Sequence, residues 1–281
     1  MNNLEALNFG NKILKLNNIK SCHLDGELLL SKVLNLKREN LLVNLNSKIK
    51  QKKFLEFKKL VLRRKNNEPI AYIIKNKEFW KLNFVVNKHV LIPRPETEII
   101  VEEVLKLINT NVSKNILDIG TGSGCILLSI IKERANCIGT ALDISKNAIK
   151  VAINNAKMHH LQNKVKFVNI DIDKFSFNKY DFIVSNPPYI SNFDLKRLEK
   201  DIRLFEPQKA LKAGIDGLSE IRKLIKKSKV LLKKNGKLIF EIGVNQMNSV
   251  VNLLKENKFY VNKVSKDIQS HPRVIISTKL L

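Results

Sequence analysis

Residues 115 to 131 leave this chain few choices of fold. Asn115-Ile116-Leu117-Asp118-Ile119 reads as a short buried strand, Gly120-Thr121-Gly122-Ser123-Gly124 as a glycine turn, and Cys125-Ile126-Leu127-Leu128-Ser129-Ile130-Ile131 as a buried helix. Strand, glycine turn and helix in direct succession open an α/β unit whose turn offers backbone N–H groups to a ligand. Glycines there let the backbone approach where any side chain would collide. The dinucleotide spacing G-x-G-x-x-G would need a glycine at position 125. The chain has Cys125 instead, with Gly124 one place early, and it carries no Walker-type phosphate loop. A ligand without a pyrophosphate fits better. Asp143 ends the next predicted strand, Cys137 to Leu142, about 20 residues past the loop, where a carboxylate can accept both hydroxyls of a ribose.

A second motif follows the apolar run Phe182-Ile183-Val184: Ser185-Asn186-Pro187-Pro188-Tyr189. Asn186 offers a side-chain carbonyl. Pro187 fixes its φ near −65° and has no N–H, so the turn is rigid and its carbonyls face a substrate without competing donors. Tyr189 supplies a flat face. Together they suit a planar NH2 group, a poor nucleophile that is helped mainly by orientation. On this view Asn186→Asp, which keeps an acceptor of similar shape, retains more activity than Asn186→Ala. Read alone, the motif is equally a strand-ending turn, since Asn-Pro and Pro-Pro are common loop punctuation.

Strands predicted near 115 to 119, 138 to 142, 165 to 169, 181 to 185 and 237 to 242 alternate with helices near 96 to 108, 124 to 133, 146 to 160 and 218 to 233. That alternation means a mainly parallel sheet with helices on both faces. Phe259 to Val264 and Arg273 to Thr278 supply two further strands. Upstream, Leu24, Leu28, Val33, Leu34, Leu41, Leu42, Phe54, Phe57, Leu60 and Val61 recur at spacings nearer helical than strand periodicity, with no Pro before Pro69. The chain is therefore expected to divide into a helical domain at 1–80, a linker or hairpin at 81–95 and an α/β domain at 96–281. Alternation from about Ile70 to Leu91 favours hairpin-like structure over that stretch.

Taken in order, Asp118 to Gly124, Asp143, Asp171 and Asn186 to Tyr189 resemble class I S-adenosylmethionine-dependent methyltransferases that act on amino groups. Glu68-Pro69-Ile70-Ala71-Tyr72, Glu78-Phe79-Trp80 and Leu91-Ile92-Pro93-Arg94-Pro95-Glu96-Thr97-Glu98 narrow the resemblance to the release-factor glutamine N5-methyltransferases of the HemK/PrmC type. Arg203 to Pro207, Ala213 to Leu218 and Glu241-Ile242-Gly243 with Gln246 extend it through the C-terminal half. The resemblance implies a Rossmann-like seven-stranded sheet and S-adenosyl-L-methionine as cofactor. It implies that Asp118 and the backbone of Gly120, Thr121, Gly122, Ser123 and Gly124 hold the methionine moiety, Asp143 the ribose, and Asp171 or Ile172 the adenine. Asn186, Pro187, Pro188 and Tyr189 would take the target amide, Asn186 also bordering the cofactor, with the segment Arg94 to Glu98 over the active site and Arg94 and Glu98 on the substrate; read alone, that segment is a helix N-terminus with Pro95 in its first turn. The implied partner is a class I peptide chain release factor, methylated on the glutamine of its Gly-Gly-Gln motif. The N-terminal helical domain would recognise that protein. Two departures stand out: Lys75 replaces the family's usual Gly, and Ser270 and Pro272 alter a glycine-containing stretch.

Composition sets the remaining bounds. The net charge of +25 ordinarily points to nucleic acid, but 42 of the 51 basic residues are Lys, scattered along the whole chain among many Asn and Ile. Base and phosphate readers favour Arg, so the charge argues for no obligatory nucleic-acid partner. Cys22, Cys125 and Cys137 fit buried apolar positions, with neither a disulfide framework nor a metal site expected. The N-terminus lacks the pattern of a secretory signal, and no long uncharged apolar run occurs, so a cytoplasmic, membrane-free monomer is expected. Two other functions remain on sequence grounds: a nucleic-acid methyltransferase acting on adenine N6 or guanine N2, and a non-catalytic binding module that keeps the fold as a scaffold.

Overall fold

A computed structural model describes residues 1–280. The chain forms two compact units, one of Met1–Asn76 with Glu199–Phe205, the other of Lys77–Leu198 with the chain from Glu206 onward.

The first unit is helical, as the spacing of its leucines predicts: α1 (Asn3–Leu16), α2 (Cys22–Leu34), α3 (Arg38–Leu42), α4 (Gln51–Lys65) and α5 (Ile70–Ile74), joined by the later short helix α9 (Lys200–Phe205). Asn2 and Glu5 form a reciprocal capping box that starts α1. Ala6, Leu7, Leu14, Leu29, Leu30, Val33, Phe57 and Val61 make the core. Leu24 is 46% exposed, so the buried stripe of α2 runs through Cys22, Gly26, Leu29, Leu30 and Val33 instead, and Leu42 at the end of α3 is 37% exposed. Gly10 lets α1 and α4 approach closely, since a Cβ there would sit 2.6 Å from the Phe57 ring. Arg64 donates to Asp25 at 2.6 Å in a buried ion pair, and the Ser21 hydroxyl donates to the same carboxylate at 2.9 Å.

Residues 70–74 are helical rather than hairpin-like. Pro69 sets the entry to this turn, and Lys75 ends it in the left-handed region at φ +59°. That is the conformation for which the glycine usual at this position is suited. Ser270, the other departure, has φ +65° in the turn between the last two strands.

The second unit begins with the hairpin β1 (Lys77–Phe79) and β2 (Leu82–Phe84). Trp80 in its turn receives two tethers: its backbone N–H donates to Glu98 at 2.8 Å and its indole N–H to Glu133 at 3.1 Å. These tie the hairpin to α6 (Glu98–Leu107) and α7 (Cys125–Glu133), which is why the division falls after Asn76 rather than near residue 80. The main sheet contains β3 (Asn115–Ile119), β4 (Ile138–Asp143), β5 (Val165–Asn169), β6 (Tyr180–Ser185), β7 (Leu232–Glu241), β8 (Phe259–Lys266) and β9 (Pro272–Lys279) in the order β5-β4-β3-β6-β7-β9-β8. The first five are mutually parallel, and β9 pairs antiparallel with both β7 and β8. Seven strands, mainly parallel, match the expected sheet.

Alternation along the strands splits the core into two layers. Ile116, Ala141, Phe182, Val184 and Ile239 pack with α6, α7 and Ala156 of α8 (Lys146–Met158). Leu117, Leu142, Ile183, Leu238 and Phe240 pack on the opposite side with α10 (Ser219–Leu231) and α11 (Met247–Glu256). Each of the Leu, Ile, Val and Phe side chains contributes roughly 1.5 to 3 kcal/mol on burial. The helix α11 is absent from the sequence reading, although Val250 and Leu254 place a buried i, i+4 pair on it.

Candidate functional site

The chain leaves β3 toward β4 and β5 on one side and returns to β6 on the other, so β3 and β6 flank the point where strand order reverses. Ligands in open α/β sheets bind beyond the strand ends at such a point. The glycine turn follows β3 and Asn186 follows β6 there, with Ile119 paired to Ser185. The Ser185 hydroxyl donates to the Ile119 carbonyl at 2.7 Å and clamps the two strand ends together.

On the β3 side the glycine turn is held from three directions. The N–H groups of Gly120 and Thr121 donate to the Leu142 carbonyl at 2.9 and 2.8 Å. Gly122 N–H donates to Asp143 Oδ2 at 2.9 Å. Asn155, wholly buried on α8, donates to the Ser123 carbonyl at 2.8 Å and exchanges two hydrogen bonds with the backbone of Val85. Gly120 and Gly122 have φ of +73° and +55°, and a Cβ built on either meets nothing within 4 Å. Their left-handed backbone and the open space beside them are what a cradle for a closely approaching ligand requires.

The two predicted carboxylates line this cradle. Asp118 is fully buried; the Thr121 hydroxyl donates to its Oδ2 at 2.6 Å, while Oδ1 makes no hydrogen bond of good geometry. Burial raises its pKa to about 7, the Asp143 charge adds to the rise, and the Thr121 hydroxyl and the Leu127 amide oppose it. Such an orphaned buried oxygen suits a cationic group of a ligand. Asp143 Oδ1 accepts from Ser145 N–H at 2.8 Å, so each oxygen carries one backbone donor and keeps acceptor capacity for a hydroxyl. Burial raises the Asp143 pKa, against the pull of those two amides. The residues present therefore fit a cofactor with a cationic end and a ribose.

Asp171 and Ile172 follow β5, one strand further out. Asp171 accepts from Asp173 N–H at 2.9 Å and caps a single helical turn, while Ile172 packs partly buried on the second core layer. Capping is therefore the role the geometry displays for Asp171.

On the β6 side the motif is tied to two residues that sequence reasoning left unassigned. Asn186 Nδ2 donates to Thr97 Oγ1 at 2.9 Å, Thr97 donates to Glu241 Oε2 at 2.6 Å, and the Tyr189 hydroxyl donates to Glu241 Oε1 at 3.2 Å. Glu241 ends β7 and is 2% exposed. Burial raises its pKa, while Thr97, Tyr189 and Arg273 favour the charge. Burial together with this carboxylate pushes the Tyr189 phenol well above its ordinary value. Gln246 donates to the carbonyls of Tyr189 and Gly217 at 3.1 and 2.9 Å and accepts from Gly243 N–H, fixing the exit of the motif. Pro187 is buried and Pro188 half-buried between these anchors. One signal for Glu241 was available: like Asp118 and Asp143, it is an acid at the C-terminal end of an apolar strand.

Arg94 and Glu98, expected over the active site, are engaged within the unit. Arg94 pairs with the buried Glu206, which also accepts from Ile92 N–H at 3.1 Å. Glu98 holds the Trp80 turn. Both fasten the segment that carries Thr97. All three cysteines are free and buried, and burial pushes the Cys125 thiol up to about 12, in keeping with inert apolar positions. Among the described residues no helix is long and apolar enough to cross a membrane.

Comparison with known proteins agrees with this geometry. Residues 5–74 match the PrmC N-terminal domain family and residues 97–206 the Methyltransferase small domain family. A release factor glutamine methyltransferase of Fusobacterium nucleatum is 38% identical over 99% of this chain and 79% of its own length. A bifunctional methyltransferase of Rickettsia prowazekii is 39% identical over 90% of this chain and 52% of its own length, so the chain spans about half of that relative. A methyltransferase structure from Pyrococcus furiosus shares the fold, with a TM-score of 0.54 at 18% identity over 80% of this chain and 98% of that one. The chain belongs to the release factor glutamine methyltransferase family.

Proposed function

We propose that this protein transfers a methyl group from S-adenosyl-L-methionine to the side-chain amide nitrogen of the glutamine in the Gly-Gly-Gln motif of class I peptide chain release factors. One observation carries the reading: Asn186, at the switch point beside the glycine cradle, donates its NH2 to Thr97, which leaves its carbonyl oxygen free at the opposite end of the planar amide. An acceptor held in that way aligns an amide N–H. The bound cofactor supplies an electrophilic methyl on a sulfonium. Asn186 and the Pro187 carbonyl orient the target NH2, and Tyr189 packs on the amide plane.

No strong base is required. The amide nitrogen becomes acidic once it begins to bond carbon, and its proton leaves late, to water or to a main-chain acceptor. Positioning alone supplies about 7 kcal/mol or more of barrier lowering. The phenol of Tyr189, donating to Glu241 with its pKa raised, is a poor candidate for proton transfer. The helical unit is assigned recognition of the protein substrate, and the chain is read as a monomer.

Transfer of labelled methyl groups to purified release factor, ribosomal RNA and DNA tests the proposal. Label is expected on the release factor. Label on nucleic acid alone would make the protein an amino-methyltransferase of bases, and failure to bind the cofactor would leave a scaffold without catalysis.

A further inference from the structure

Accepting that Asn186 orients the target amide, its own orientation becomes a question of chemistry. An asparagine side chain is nearly symmetric in shape, and only its partners decide which end is oxygen and which is nitrogen. Here the decision traces back to Glu241. An ionised carboxylate can only accept. The Thr97 hydroxyl, 2.6 Å from Oε2, must spend its single proton there, and it then faces Asn186 as an acceptor. The Asn186 group 2.9 Å from that hydroxyl must therefore be Nδ2, with Oδ1 on the opposite side. Reversing the amide would set a carbonyl against a hydroxyl that has no proton left to give. The second carboxylate oxygen takes the Tyr189 hydroxyl at 3.2 Å, so one buried acid governs both polar ends of the motif.

We propose that Glu241 and Thr97 are positioning residues, a directional hydrogen-bond relay that sets which end of the Asn186 amide, oxygen or nitrogen, meets the substrate. Its direction depends on the charge of Glu241. A protonated Glu241 can donate to Thr97, which then donates to Asn186 Oδ1; the amide turns over and offers the substrate NH2 a donor. The groups facing Glu241 are the Thr97 hydroxyl and Tyr189 phenol, which donate to it, Arg273 of β9, which favours its charge, and Glu96, which opposes it. Glu241 lies at the end of β7, Thr97 before α6 and Asn186 after β6, so the relay draws on three separate elements at the switch point.

The test uses the full chain with Thr97→Ser, Thr97→Val and Glu241→Gln, assayed by methylation of an intact release factor across pH and by cofactor binding. Thr97→Ser keeps the hydroxyl and is expected within a few-fold of wild type. Thr97→Val keeps the shape, and its kcat is expected to fall by about 10- to 100-fold, the worth of one to two hydrogen bonds, with cofactor affinity unchanged. The wild type is expected to lose kcat toward acid pH as Glu241 gains its proton, and Glu241→Gln is expected to lack that fall. Thr97→Val with wild-type kcat, or an unchanged acid limb in Glu241→Gln, overturns the relay while the wild type still methylates release factor. A wild-type enzyme inactive on release factor overturns the functional reading itself. If Glu241→Gln does not fold, the serine and valine pair decides alone.

Discussion

Gly122 donates its backbone N–H to Asp143 Oδ2 at 2.9 Å, so the turn that ends β3 and the acid that ends β4 form one cradle. Asp143→Ala removes the carboxylate proposed to accept the ribose hydroxyls and leaves the Gly122 N–H unpaired. Cofactor binding is expected to weaken by about 1.5 to 3 kcal/mol, measured by calorimetry. Gly122→Val adds bulk where the structure is open and forces a β-branched residue to φ +55°, so it is expected to abolish binding and also to cost stability of about 1 to 2 kcal/mol. Equal cofactor affinity in both variants would remove the loop from the site.

Asp118 gives a stability signature that reads in the absence of ligand. Burial pushes its pKa in the folded chain up to about 7, from an ordinary 3.8 when exposed. Between these values the folded chain keeps a proton that the unfolded chain releases, so the contribution to stability falls as pH rises through that window and is lost above it. The integrated loss is of the order of 4 kcal/mol. Asp118→Asn has no such titration. Urea midpoints at pH 5 and pH 8 are expected to show the variant gaining on the wild type at the higher pH, whereas parallel pH profiles would contradict the buried, weakly acidic carboxyl.

Substitution of Asn186 now carries a different expectation from the one the motif alone suggests. Asn186→Ala is expected to lower kcat by about three orders of magnitude, roughly 4 kcal/mol of the positioning term, with cofactor affinity largely kept. Asn186→Asp was expected to do better than Ala because it keeps an acceptor. The Thr97 hydroxyl is already committed to Glu241, so the new carboxylate would meet an oxygen lone pair and a nearby negative charge. At neutral pH Asn186→Asp is expected to be no better than Asn186→Ala. Activity well above that of the alanine variant would show that Thr97 can redirect its proton.

The two departures from the family pattern make a prediction of their own. Lys75 and Ser270 have φ of +59° and +65°, where a glycine carries no Cβ penalty. Lys75→Gly and Ser270→Gly are each expected to raise stability, by about 0.5 to 1 kcal/mol after the glycine's larger entropy loss is counted. Denaturant midpoints check this, and a loss of stability at either position would show that the side chain's own contacts outweigh the backbone strain.

The sequence was most legible where one local signal decides the structure. The strand, glycine turn and helix at 115–131, and the alternation of elements beyond it, place the seven strands within a few residues of their observed bounds except for β7, which starts earlier. The signal failed where tertiary context wins. Ile70 to Ile74 carries no period long enough to separate helix from strand, and its helix rests on Pro69 and on the left-handed Lys75. Thr97, Glu241 and Asn155 were missed for a related reason: each acts by reaching a backbone or side chain at least 32 residues away in the chain. Glu98 and Arg94 carry contacts that their motif alone does not foretell. Glu98 accepts from the Trp80 backbone and Arg94 pairs with Glu206, both partners far away in the chain.

Methylation of one amide nitrogen is located by mass mapping. Intact release factor is incubated with the protein and S-adenosyl-L-methionine, digested, and fragmented to locate the modification. The expected result is a gain of one methyl group confined to the side chain of the Gly-Gly-Gln glutamine, present with wild type and nearly absent with Asn186→Ala. An unmodified glutamine, with methyl groups appearing instead on RNA or DNA in parallel reactions, would contradict it.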